Sequence, residues 1–67
     1  MKFEIYKDHI KEYRWRLRAS NDYIVADSSE GYVAKSDCQR GIDLVKSASN
    51  APVVDLTVSS LADIFRR

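Results

Sequence analysis

Three arginines, Arg14, Arg16 and Arg18, stand at every second position and interleave with Tyr13, Trp15 and Leu17. Strict alternation marks a half-buried strand, one face to a core and the other to water, so the guanidinium groups line up on the water side. Arginine pairs well with phosphate and a tyrosine ring stacks on bases, which makes Arg14, Arg16 and Arg18, with Tyr6 and Tyr23 nearby, a candidate nucleic-acid face. The plainer account is a solvated, salt-bridged sheet face, because Glu4 and Asp27 flank the central arginine. A second candidate is the loop at residues 28–32, Ser-Ser-Glu-Gly-Tyr, since loops hold binding groups on a rigid frame and this one ends near a helix start, where backbone amides favour anions. Glu30 and Tyr32 are its candidate binding residues. As a mere connection, the loop would use Gly31 for an unusual backbone angle, Tyr32 to cover the core edge and Glu30 to accept local hydrogen bonds.

Cys38 near a helix N-terminus has the position of a thiol with a lowered pKa. It falls on the buried stripe of that helix with no base specified beside it, however, so a packed thiol is expected. His9 sits at a hairpin tip, away from the cleft and positioned partner that acid–base chemistry needs. The chain has no second candidate base, no nucleophile elbow and no glycine-rich phosphate loop. The expectation is a protein that is not an enzyme, with no catalytic residues, no metal and no cofactor.

The elements that must position these residues follow from periodicity. Residues 2–7 alternate, with Phe3 and Ile5 on one face and Lys2, Glu4 and Tyr6 on the other; a second strand puts Tyr13, Trp15, Leu17 and Ala19 on its apolar face. Opposed residues of an antiparallel pair share a face, so Phe3 pairs with Leu17 and Ile5 with Trp15, leaving His9, Ile10 and Lys11 as a three-residue loop. The last loop position usually wants a left-handed residue, which makes Lys11 slightly strained. Asn21-Asp22 reads as a two-residue turn that sets Ala19 opposite Ile24 and Leu17 opposite Ala26 with no bulge. In that register Glu4, Arg16 and Asp27 form one outer row, while Arg14 and Arg18 are less compensated.

Residues 36–39, Ser-Asp-Cys-Gln, match a capping box with Ser36 as N-cap. The helix that follows, to about residue 49, stacks Cys38, Gly41, Ile42, Val45 and Ala48 on one stripe, the pattern of a helix lying on a sheet. Gly41 costs roughly 0.5–1 kcal/mol there against alanine, which implies close approach of helix and sheet over Trp15. Pro52 cannot continue the helix, and residues 53–58 have the β-branched content of a fourth strand. The domain thus spans 1–58. A tail at 59–67 is either a short helix with Leu61, Ile64 and Phe65 on one side or disordered.

At 67 residues the chain is one small α+β domain. A core of this size rarely supplies more than ~3–5 kcal/mol, and one cysteine and one histidine exclude an internal disulfide or metal staple. Self-association is the expected remedy. The lone cysteine and the charged, alternating start point to the cytoplasm, and no apolar run is long enough for a membrane helix. A net charge of +1 gives no global attraction to nucleic acid.

The runs Phe3-Glu4-Ile5-Tyr6-Lys7-Asp8, Tyr13-Arg14-Trp15-Arg16-Leu17-Arg18-Ala19, Ile24-Val25-Ala26-Asp27-Ser28, Glu30-Gly31-Tyr32 and Gly41-Ile42-Asp43-Leu44-Val45-Lys46 together resemble the YegP-like family of small uncharacterised proteins. The resemblance runs from Phe3 to about Thr57, and departs from the usual pattern at Asp22 and Ser29, where glycine is common, and in the tail. It implies a β-β-β-α-β unit, an antiparallel sheet with the helix on one face, found as a tandem repeat or as a homodimer with exchanged C-terminal strands. A homodimeric interaction module with a protein or nucleic-acid partner is the first functional expectation. The alternative is a small-molecule or catalytic site at the subunit interface, built from Glu30, Tyr32 and the exchanged strand.

Overall fold

The computed structural model describes residues 1–57, and 58–67 lie outside it, so the end of the expected fourth strand and the expected tail are not described. Three strands, β1 (Lys2–Lys7), β2 (Tyr13–Arg18) and β3 (Ile24–Asp27), precede one helix, α1 (Lys35–Ser47). The strands form an antiparallel meander in the order β1-β2-β3, and α1 packs on β2. This is the expected α+β architecture. No helix of the described residues is long and apolar enough to cross a membrane.

The first hairpin has the expected register, Phe3 opposite Leu17 and Ile5 opposite Trp15. Lys11 closes its loop with φ 67°, the left-handed conformation that the loop length demands. The loop is also held by Asp8, whose Oδ1 accepts the Ile10 and Glu12 amides at 3.0 Å each.

The second hairpin differs from the expectation. Leu17 does face Ala26, but Arg18 faces Ile24, so a bulge interrupts the ladder. The Ala19 amide bonds the Tyr23 carbonyl at 2.8 Å, and the turn therefore spans Ser20, Asn21 and Asp22, with Asp22 left-handed at φ 69°. Three turn residues shift parity by one, and the extra strand residue restores the apolar face.

The helix start also differs. Ala34 is the N-cap and no side chain caps the helix, so Ser36 and Gln39 sit inside it and form no capping box. The stripe expectation holds at its centre, where Cys38 and Ile42 are buried, and fades toward Val45 and Ala48, which are exposed. The core is Trp15, Cys38 and Ile42, with Phe3, Ile5, Tyr13, Ala26 and Tyr32 packed around it. Phe3 meets Trp15 edge to face at 5.6 Å. Gly41 lies over Trp15 as expected: a Cβ there would stand 3.2 Å from Trp15 Nε1 and 2.9 Å from Tyr32 Oη.

Residues 53–57 form no strand within one chain. Their large apolar side chains stand in solvent, Val53 at 95%, Val54 at 71% and Leu56 at 88% exposure.

Candidate functional site

Alternation in β1 and β2 collects Glu4, Tyr6, Arg14, Arg16 and Arg18 on the outer sheet face, and the expected row of Glu4, Arg16 and Asp27 is present. What the arginines touch departs from the expectation. Glu4 Oε1 accepts from Arg16 Nε at 2.8 Å and from Arg18 Nε at 3.1 Å. Asp8 Oδ2 accepts from Arg14 Nε at 2.6 Å. Arg14 and Arg18 are therefore compensated, Arg18 by the diagonal reach of a long side chain and Arg14 by an aspartate outside the strand. The Arg16 guanidinium in addition lies 4.6 Å over the Tyr6 ring, which occupies the aromatic surface a base would need.

The same arginines brace the backbone. Arg14 Nη1 donates to the Ser29 carbonyl at 3.0 Å and Arg18 Nη1 to the Asp22 carbonyl at 2.9 Å. Ser29 and Asp22 are two of the three non-glycine residues with positive φ, at 57° and 69°. Each outer arginine thus holds a left-handed corner of the chain. Shared hydrogen bonds from Arg16 and then Arg18 hold the Glu4 carboxyl at a pKa of about 2. Arg14, then the Glu12 amide, lower that of Asp8. Each arginine of the stripe is thus engaged, with Arg16 and Arg18 sharing one carboxylate, so three guanidinium groups are met by two carboxylates.

The 28–32 loop is bound to the sheet it borders. The Ser28 amide donates to the Trp15 carbonyl at 2.9 Å, the Trp15 amide donates to Ser28 Oγ at 3.3 Å, and the Ser28 hydroxyl donates to the Glu30 carbonyl at 2.9 Å. Tyr13 and Tyr32 then exchange backbone hydrogen bonds of 2.7 and 2.8 Å. Gly31 does not have the expected positive φ; Ser29 does. A Cβ on Gly31 would instead run into the Glu12 side chain and approach Asp8 Oδ2 at 3.3 Å. The glycine is there for close packing. Glu30 is exposed, and Tyr32 covers the core edge as expected.

Cys38 is fully buried, and burial pushes its thiol pKa up, the reverse of an activated nucleophile. His9 is an exposed turn residue. Among the described residues no three His, Cys, Asp or Glu side chains gather where a metal ion could be held.

Two features sequence reasoning missed lie on the helix side. An open groove of about 520 Å³ between β1 and α1 is lined by Phe3, Ile5, Leu17 and Ile42, with Lys2 and Lys46 at its margin. A smaller one of about 340 Å³ is lined by Tyr32, Asp37, Arg40, Gly41 and Leu44. The only sequence signal for the second was Gly41 in a buried stripe, which announced a close approach without saying to what.

A family model described as Domain of unknown function (DUF1508) matches residues 8–55. A UPF0339 protein of Neisseria meningitidis serogroup B is 54% identical over 54 residues, 81% of this chain and 95% of that protein. A UPF0339 protein from Stutzerimonas stutzeri, in the ptx operon 5' region, is 48% identical over 50 residues, 75% of this chain but 42% of that protein. The solution structure of a Haloferax volcanii protein superposes with a TM-score of 0.75 at 44% identity, covering 81% of this chain and 92% of that one. With the meander, the Glu30-Gly31-Tyr32 loop and Gly41 over Trp15 in place, this chain belongs to the DUF1508, or UPF0339, family, the YegP-like proteins.

Proposed function

We propose that the protein is a non-enzymatic interaction module of the cytoplasm that works as a homodimer, each chain lending its 53–58 segment to the sheet of the other. The observation that carries this reading is the exposed apolar run Val53, Val54 and Leu56 in a chain whose β1 edge has no strand neighbour among the described residues. In an extended segment Val54 and Leu56 point one way and Asp55 and Thr57 the other. A strand added along β1 places the first pair over the Phe3–Ile42 groove and the second on the outer face with the charged residues. Unpaired edges invite such pairing, and three buried residues make a small core for a lone chain. The Stutzerimonas stutzeri relative lends support, since more than half of its length lies outside the match, room for a second unit in the same chain.

The engaged arginines favour a protein over a nucleic acid as the further partner of the dimer. A single buried thiol suits a reducing compartment. Sedimentation equilibrium of the full chain at micromolar concentration tests the reading: twice the chain mass is expected, falling to one chain mass in Val54→Asp/Leu56→Asp. A wild-type monomer would overturn it.

A further inference from the structure

From Ala19 to Ala34 the chain carries three carboxylates, Asp22, Asp27 and Glu30, and not one lysine, arginine or histidine; all eleven lysines and arginines lie outside that run. The three acids are exposed, and none is in an ion pair among the described residues. Between the first two stand Tyr23, Ile24 and Val25, consecutive apolar side chains at 73%, 53% and 55% exposure. They run into β3, an edge of the sheet with no strand on its far side among the described residues. The Ser28 amide donates to the Trp15 carbonyl, so Asp27, one residue earlier, turns its own amide and carbonyl toward the open side. Arg18 and Arg14 reach the backbone at the two ends, at Asp22 and Ser29, but each already pairs with a carboxylate, Glu4 or Asp8. An exposed apolar patch with a polar rim marks an interaction surface, and the side-chain charges of this rim are of one sign.

We propose that the β3 edge is the docking surface for a protein partner that presents an extended basic segment interspersed with apolar residues. Its cations meet Asp22, Asp27 and Glu30, and its apolar side chains cover Tyr23, Ile24 and Val25. Charge complementarity selects this occupant, since the acidic rim repels a phosphate backbone. The bulge breaks the ladder at the start of β3, so regular backbone pairing with the segment is confined to the Asp27 end, and charge and apolar cover supply most of the affinity. The inference goes beyond the exchanged dimer and does not depend on it, because β3 is the edge opposite β1.

The probe is the peptide acetyl-Lys-Val-Lys-Ile-Lys-amide, with the Glu-Val-Glu-Ile-Glu analogue as its charge-reversed control. In 1H–15N spectra of the full chain at low salt, the lysine peptide is expected to shift the amides of residues 22–30 saturably with a midpoint of ~0.5 mM, and the glutamate analogue to leave them unmoved. These shifts are expected whether sedimentation finds one chain or two. Asp22→Asn/Asp27→Asn/Glu30→Gln keeps every side-chain acceptor, including the Asp27 oxygen that takes the Ser29 amide, and should weaken the peptide ~10-fold. Tyr23→Ser, at an exposed position, should weaken it ~3–10-fold. Amides of β3 unmoved at ~5 mM lysine peptide, well above that midpoint, overturn the proposal. So do equal responses to the two peptides, a triple variant that binds as well as wild type, or binding untouched by Tyr23→Ser, which would mean attraction by charge alone. Amides of β3 that shift with protein concentration in the absence of peptide would assign the edge to a second copy of the chain and overturn it as well.

Discussion

Gly41→Ala puts one methyl group where the helix comes close to the sheet. In an exposed helix the change would stabilise by ~0.5–1 kcal/mol, because alanine loses less backbone freedom on folding. Here the new Cβ stands 2.9 Å from Tyr32 Oη, 3.2 Å from Trp15 Nε1 and 3.4 Å from Tyr32 Cζ. Tyr32 is partly exposed and can yield, but Trp15 is buried and held edge to face by Phe3. Forcing an extra carbon into a packed site costs ~1–3 kcal/mol, and contacts this short put the change in the upper half, ~2–3 kcal/mol, so the strain outweighs a helix gain of up to ~1 kcal/mol by ~1–2 kcal/mol. For a domain of this size that corresponds to a melting temperature lower by roughly 4–16 °C. Urea unfolding followed by Trp15 fluorescence, at one fixed protein concentration, measures it. Tyr32→Phe removes the nearest atom, and in that background Gly41→Ala should cost less, with a coupling of ~0.5 kcal/mol or more. Gly41→Ala as stable as wild type would refute the close-approach reading, and a strictly additive cycle would refute Tyr32 as the obstacle.

Two other substitutions test the electrostatics and the turns. The folded pKa of Glu4 is depressed to about 2 from an ordinary 4.5, so its stabilising effect is fully present above pH 4.5 and is lost as pH falls toward 2. Glu4→Gln should flatten the decline of the urea midpoint between pH 5 and pH 2, windows set by those two values, leaving the part due to Asp8; an unchanged slope would show that Glu4 is not ion-paired in solution. Asp22→Gly relieves a non-glycine residue at φ 69° and keeps the carbonyl that Arg18 holds. It should raise stability by ~0.5–1 kcal/mol, read as a higher urea midpoint, and a lower one would mean that the aspartate side chain matters more than its backbone angle.

The first hairpin was legible because two independent constraints agree on it: the shared face of Phe3, Ile5, Trp15 and Leu17, and a loop length that demands a left-handed Lys11. The second hairpin was not, because a two-residue turn without a bulge and a three-residue turn with one leave nearly the same residues on the apolar face. The ion pairs escaped for a different reason. Ladder neighbours are readable from register, but Arg18 reaches diagonally to Glu4, and Arg14 finds Asp8 in a loop whose path no periodicity describes. Ser36 has the chemistry of a cap but lies two positions inside a helix whose start is set by the Tyr13–Tyr32 bridge.

That bridge has a further consequence. By locking Tyr32 against Tyr13, it turns the two residues before α1, Val33 and Ala34, into a spacer of fixed length. An α-helix turns about 100° per residue, so one residue inserted in that spacer rotates the whole helix by more than a quarter turn. Cys38 and Ile42 would swing away from Trp15, and Asp37 and Gly41 would take their places. The connection of β3 to α1 therefore tolerates no change of length, whereas an insertion at the exposed Asn21 only enlarges a turn. The phase of the helix, and with it the glycine's place over the indole, is set by counting residues from one rung of backbone hydrogen bonds.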